Sequence, residues 1–312
     1  MSTTATEFDE VITKALLSYV ELPYGAGRAA LITLDNAHDH TRPSTFGPGG
    51  LQSLNTTLNA VLEEHARSPL AAVLLTGKPF VFAVGADLSG VPRLTSREQA
   101  LETGRLGHRV FRRLGELPLP SFAFVNGAAM GGGLEVALHC SYRTVSASAA
   151  ALSLPECFLG LIPGWGGAFL VPNLVGADRA VTVVVENPLN NNRQLKPTQA
   201  LELGLFDASF EAADFLEQSI AWAARVLTGA EVVQRAEVDR SPESWAAAVA
   251  RGRAEHRRRR CRGIARTAAG THGPHHAGRP VVLRARRRGG GAGESHGRAG
   301  GTGPRAHAQR RR

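Results

Sequence analysis

Between Ser121 and Tyr142 the chain carries one formal charge, Glu135, in a run otherwise built from apolar, small and neutral polar residues. Such a run reads as buried, and a lone carboxylate inside it is costly unless it is paired or used. Just before it stand Asn126-Gly127-Ala128-Ala129-Met130 and the triplet Gly131-Gly132-Gly133. Glycines let a backbone approach a ligand closely, and Leu134 to Cys140 has the pattern of a short helix. The amide of Gly132 is therefore expected at a helix N-terminus, where free N–H groups and the helix dipole suit an atom that gains negative charge. One strand-like run later, Leu154-Pro155-Glu156 supplies a second carboxylate. Two carboxyls facing one small volume are the equipment of general acid/base chemistry. The plainer alternative is a glycine turn and two solvated surface glutamates.

The rest of the chain places these residues in an alternating pattern. Leu16 to Leu22 and Ala29 to Leu34 read as strands around the turn Pro23 to Gly27, and Gly50 to Ala66 has helical apolar spacing at Leu51, Leu54, Leu58, Val61 and Leu62. Leu70 to Thr76 and Pro118 to Val125 are continuous apolar runs of the kind buried on both faces. Phe80 to Ala83 leads into the Ala86 loop, and Tyr142 to Ser146 and Ala150 to Leu154 return the chain to Glu156. Arg93 to Leu117 is helical in pattern, with Arg105, Arg112 and Arg113 between apolar positions; these arginines suit either phosphate binding or a solvated face. Strands and helices in this order imply an α/β fold of repeated ββα units with functional loops at strand ends. Pro163-Gly164-Trp165-Gly166-Gly167 is a turn in which Trp165 either packs or lines a pocket, and Ala212 to Leu227 is a long amphipathic helix.

Other chemistries find less support. Cys140, Cys157 and Cys261 lack metal-ligand spacing and suggest no disulfide framework, and Cys157 beside Glu156 reads as a packing residue, not a nucleophile. The pair His38 and His40 has no third ligand in sight, so no metal is expected. No run approaches the roughly 18 apolar residues of a membrane span, the N-terminal Met1 to Glu10 has no apolar core, and a soluble, reducing, cytoplasmic setting is expected.

Three blocks together carry a resemblance: Ala83-Val84-Gly85-Ala86-Asp87-Leu88, then Asn126 to Glu135, then Pro155-Glu156-Cys157-Phe158-Leu159-Gly160-Leu161-Ile162-Pro163-Gly164-Trp165-Gly166-Gly167. In their order over roughly the first 230 residues the chain resembles the crotonase (enoyl-CoA hydratase/isomerase) superfamily. The resemblance implies a crotonase-like ββα spiral with C-terminal helices. It implies an oxyanion hole made by the amides of Ala86 and Gly132, catalytic acids at Glu135 and Glu156, and substrate binding by Ala86, Asp87, Leu88 and Gly132. Having both acids favours addition of water to a 2-enoyl-CoA, giving a 3-hydroxyacyl-CoA, over double-bond isomerisation alone. Coenzyme A belongs to the substrate, so no separate cofactor is expected. A trimer-based homo-oligomer or a multienzyme β-oxidation complex is expected by analogy. The interval between the acids is one residue longer than in the commonest hydratases, and that residue has to be absorbed between Ser146 and Ser153. Glu186 to Asn192, Leu201-Glu202-Leu203-Gly204 and Glu237-Val238-Asp239-Arg240 are similar to the hydratase half of multifunctional fatty-acid oxidation proteins, which continue into a 3-hydroxyacyl-CoA dehydrogenase; no dinucleotide fingerprint follows here.

Charge divides the chain in two. The whole carries +9, yet residues 251 to 312 hold 18 Arg, no Lys and two acids, so they carry +16 and the first 250 carry −7. Residues 1 to 253 are read as the catalytic domain, and 254 to 312 as an Arg/Gly-rich disordered tail whose composition cannot offset its conformational entropy. Out-of-frame translation of a GC-rich gene accounts for that composition. A nucleic-acid-binding arm is the competing reading, without the aromatic interleaving that would support it.

Overall fold

The computed structural model describes residues 10–93 and 95–268. Two sheets share the strands by turns. Strands β1 (Lys14–Leu22), β2 (Gly27–Asp35), β3 (Ala72–Gly77), β5 (Ser121–Val125), β7 (Tyr142–Ser146) and β9 (Ala208–Phe210) form a six-stranded sheet in the order β1-β2-β3-β5-β7-β9. Strands β4 (Val81–Ala83), β6 (Ala128–Met130) and β8 (Leu152–Ser153) form a second, three-stranded sheet. Only the first hairpin, β1 with β2, is antiparallel; every later pairing is parallel. Each turn of the chain thus lays one strand in the large sheet and the next in the small one. Helix α1 (Pro48–Arg67) follows β2, α2 (Arg97–Arg112) follows β4, and α3 (Gly132–Leu138) follows β6. This is the repeated ββα unit expected from the sequence.

The apolar strands are buried on both faces because alternate side chains feed two cores. Val73, Leu75, Ala123 and Val125 point into the main core between the sheets and α1 to α3. Ala72, Leu74, Phe122 and Phe124 point the other way, under Phe215, Trp222 and Ala223 of α8 (Phe215–Leu227). Each large side chain fully buried in this way contributes about 1.5–3 kcal/mol. Between β8 and α8 the chain runs through α4 (Gly167–Val175), α5 (Ala177–Val181), a π-helical turn (Thr182–Glu186), α6 (Asn187–Leu189) and α7 (Pro197–Glu202). The Val181 to Glu186 stretch is therefore helical, and Pro172 sits inside α4 without ending it.

The last helix, α9 (Pro242–Ala268), crosses the composition boundary at 253 and 254, so residues 254 to 268 are helical where composition implied none. The cause is local packing. Ala248 and Gly252 are buried, Gly252 against Val181, and the Arg251 guanidinium donates to Asp178 and Glu186. Arg253, Arg257 and Arg258 remain exposed on the other side. The remainder of the expected disordered tail, with any nucleic-acid-binding arm in it, and most of the Met1 to Glu10 reading lie outside the described residues. Within the described residues no helix is long and apolar enough to cross a membrane.

Candidate active site

The small sheet builds the site. Its strands β4, β6 and β8 are parallel neighbours, so the segments that leave their C-terminal ends lie side by side. Those segments are residues 84–88, 131–133 and 154–156, and they carry Ala86, Gly132 and Glu156. Ligand sites at the carboxyl ends of parallel strands are a recurring consequence of this geometry. Here a cavity of about 360 Å³ is lined by Ala86, Leu88, Gly132, Glu135 and Glu156, with Trp165 among its other walls.

The amides of Ala86 and Gly132, both on residues of the cavity wall, have no acceptor among the described residues. Phe46 pairs with Ala86 as an isolated parallel bridge, its N–H donating to Gly85 O at 2.8 Å and its carbonyl accepting from Asp87 N–H at 2.9 Å. In that pattern the intervening residue turns its own N–H to the opposite side, and no acceptor within the chain meets Ala86 N–H. Gly132 is the first residue of α3, so helix geometry leaves its N–H unsatisfied. Gly131 just before it has φ +52° and spends its own N–H on Ser153 O, so the free donors of this turn begin at Gly132.

The carboxyls differ in how they are held. Glu135 is 2 % exposed, and its Oε1 accepts from the N–H groups of Trp165 and Gly167, both at 2.8 Å. Its Oε2 makes no hydrogen bond among the described residues. Burial pushes its pKa up to about 7; the two amides pull it down and the charge of Glu156 adds to the rise. Glu156 sits in a 3-10 turn, Pro155–Leu159, and burial raises its pKa too. Its Oε2 is buried with no hydrogen-bond partner, which for a carboxylate oxygen is costly enough to call for a function. Between the acids, in the loop 147–151, Ala149 N–H closes a turn onto Ser146 O and Ser148 N–H donates to Ser146 Oγ. Glu156 stands on the cavity wall.

Trp165 both packs and lines the cavity. Its indole needs two glycines: a Cβ on Gly107 would lie 2.2 Å from its Cε2, and one on Gly132 2.4 Å from its Cε3. Phe111 meets it edge-on at 5.3 Å. The sequence reading missed what fixes the Trp165 peptide. His139, one helical turn after Glu135 and buried, donates from Nε2 to Trp165 O at 2.7 Å; burial lowers its pKa and favours the neutral ring. A histidine four positions after a catalytic carboxylate candidate, on the same helix face, was the available signal.

Other expected residues fall elsewhere. Asp87 does not line the cavity: its Oδ1 folds back to accept from Ser89 N–H at 3.0 Å and Ser89 Oγ at 2.5 Å. Arg113 holds the Asn55 carbonyl and the side chains of Asn55 and Asn59, Arg112 pairs with Glu116, and Arg105 is exposed. Cys157 is half-buried with its thiol pKa raised by burial and by Glu156, the wrong direction for a nucleophile. Among the described residues no cluster of three metal-ligating side chains forms; His40 instead meets Phe80 edge-on.

A cavity lined by two residues with free amides and by two pKa-raised carboxyls can stabilise a developing oxyanion while moving protons nearby. The family model described as enoyl-CoA hydratase/isomerase matches residues 51–252. The fatty acid oxidation complex subunit alpha of Shewanella halifaxensis is 34% identical over 194 residues, covering 61% of this chain and 26% of that relative. Its counterpart in Shewanella frigidimarina is 32% identical over 218 residues, covering 69% and 29%. The chain thus spans between a quarter and a third of the length of these curated relatives. Among solved structures, enoyl-CoA hydratase from Bacillus anthracis superposes with a TM-score of 0.59 at 26% identity, covering 69% of this chain and 76% of that one. Pseudomonas aeruginosa DspI gives 0.57 at 27%, covering 72% and 84%.

Proposed function

Given that the chain belongs to the enoyl-CoA hydratase/isomerase (crotonase) family, we propose that it adds water across the α,β double bond of a 2-enoyl-CoA thioester, giving a 3-hydroxyacyl-CoA. One observation carries this reading: Glu135 and Glu156 line the same cavity as Ala86 and Gly132, whose amides have no acceptor among the described residues. In the proposed reaction those amides receive the thioester oxygen as it takes on enolate charge, a contribution of about 2.7–4 kcal/mol for each donor of this kind. Glu135 takes a proton from the water whose oxygen bonds to the β-carbon. Glu156 delivers a proton to the α-carbon, and the proton taken up by Glu135 returns to Glu156 by way of solvent as product leaves, so both acids end as they began. The elements of water are added and no electrons are exchanged, so coenzyme A enters only as part of the substrate and no further cofactor is called for.

Leu88 belongs to the substrate wall in this reading, while Asp87 serves by shaping the loop that presents Ala86. The Shewanella relatives are named as subunits of a fatty acid oxidation complex, which supports a place in fatty-acid oxidation within a larger assembly; a hydratase portion of such an assembly or a homo-oligomer, in the cytoplasm, is part of this proposal. Loss of the conjugated enoyl absorbance of crotonyl-CoA on adding the protein is the direct test; no loss, with a 3-enoyl-CoA being converted to its 2-enoyl isomer instead, would replace hydration by isomerisation. That second reading is favoured by the family's breadth, and the presence of both acids counts against it.

A further inference from the structure

Lys78 is a buried cation, only 4 % exposed, and it sits outside the cavity just described. Its Nζ donates to Asn36 Oδ1 and to the carbonyls of His38, Asp39 and Arg42, at 2.8 Å, 2.9 Å and 2.6 Å for the three carbonyls. No carboxylate pairs with it at contact distance among the described residues. Burying an ammonium costs several kcal/mol, and acceptors converging on every N–H are what make it tolerable. The point on which the His38 to Arg42 loop directs its carbonyls is thus filled by the chain's own cation.

The backbone of Lys78 is fixed as firmly as its side chain. Its N–H donates to Leu34 O at 3.1 Å, and its carbonyl accepts from Asn126 Nδ2 at 2.7 Å. Asn36, besides accepting from Nζ, donates from Nδ2 to the carbonyls of Arg42 and Pro43. Residues 44–46 follow at once and form the edge that aligns the Ala86 loop: Val84 N–H donates to Ser44 O at 2.8 Å, and Phe46 bridges Gly85 and Asp87. That edge is the only backbone segment among the described residues that pairs with Ala86.

We propose that Lys78 is a positioning residue for the Ala86 amide: its ammonium gathers the 36–42 loop, the loop fixes residues 44–46, and these aim the Ala86 N–H into the cavity. Lys78 touches no substrate in this scheme. The inference rests on the two-amide reading of the site given above, and the two can fail separately.

The experiment uses the full chain, with Lys78→Met, which keeps the length and removes the charge, and Asn36→Ala, which removes one acceptor and the bracket on Pro43. Infrared difference spectra of bound butyryl-CoA carrying carbon-13 at its thioester carbonyl read the polarisation of that bond without turnover, and crotonyl-CoA hydration supplies kcat and KM. In the wild type the carbonyl band should move to lower frequency on binding. In Lys78→Met that displacement should shrink, and kcat should fall about 10- to 100-fold with KM changed less than about threefold, the size expected for a misplaced oxyanion donor. Unchanged band and kcat alongside a lower melting temperature would overturn the proposal, because a merely structural lysine predicts that outcome. If Lys78→Met does not fold, the same readouts on Asn36→Ala decide by the same criteria. A wild-type band that does not move on binding would defeat the two-amide reading itself, and the role of Lys78 with it.

Discussion

Replacing Glu135 by glutamine is expected to make the protein more stable and nearly inactive at once, with a stability gain that grows with pH. Glu135 titrates near 4.5 in an unfolded chain and about 7 in the fold, chiefly because burial disfavours its charge. Between those values the folded state binds more protons than the unfolded one, so stability falls as pH rises from 4.5 to 7 and the loss is complete above the folded value. With the linkage relation the cost of Glu135 is about 0.8 kcal/mol at pH 5 and about 3 kcal/mol at pH 8. A glutamine carries no such term, and its Oε1 can still accept from the Trp165 and Gly167 amides. Urea denaturation of both proteins at pH 5 and pH 8 should therefore show the stability difference widening by about 2–2.5 kcal/mol in favour of Glu135→Gln. The same variant should lose about 10²-fold or more in turnover of crotonyl-CoA while CoA-ester binding is largely kept. A stability difference that stays constant between the two pH values would refute the argument that burial raises this carboxyl.

Three further outcomes follow from the same geometry. Glu156→Gln should lower kcat about 10²-fold or more with KM little altered, since its unpartnered carboxyl would lose the proton it delivers; near-normal turnover would remove it from the mechanism. The kcat/KM of the wild type should rise as pH increases through about 7, where Glu135 becomes the carboxylate that accepts a proton; a profile flat from pH 5 to 9 would contradict that assignment. Gly132→Ala should displace the Trp165 indole, because a Cβ there lies 2.4 Å from Cε3, and should cut turnover about 10-fold or more, with altered Trp fluorescence as the check.

Much of this was written in local pattern. The unbroken apolar character of runs such as Leu70 to Thr76 points to strands buried on both faces, and the three motif blocks single out Ala86, Gly132, Glu135 and Glu156. Local pattern did not show that α9 runs past residue 253, just after Gly252 and Ala248 meet α5, a contact no composition can reveal. Nor did it show that Asp87 closes a turn onto Ser89 with its Oδ1.

What the chain's order of residues determined by itself was which groups exist and which strands they follow: a glycine that frees an amide, and carboxyls in apolar company. What only the tertiary structure decided was that these groups meet. Parallel pairing of β4, β6 and β8 sets three loop starts side by side although they are far apart in sequence, and the peptides of Trp165 and Gly167 reach back to grip Glu135. The physical reason is that a residue's environment, and with it a pKa or an unsatisfied donor, belongs to the neighbours that folding brings, and those neighbours here come from 30 positions and more along the chain.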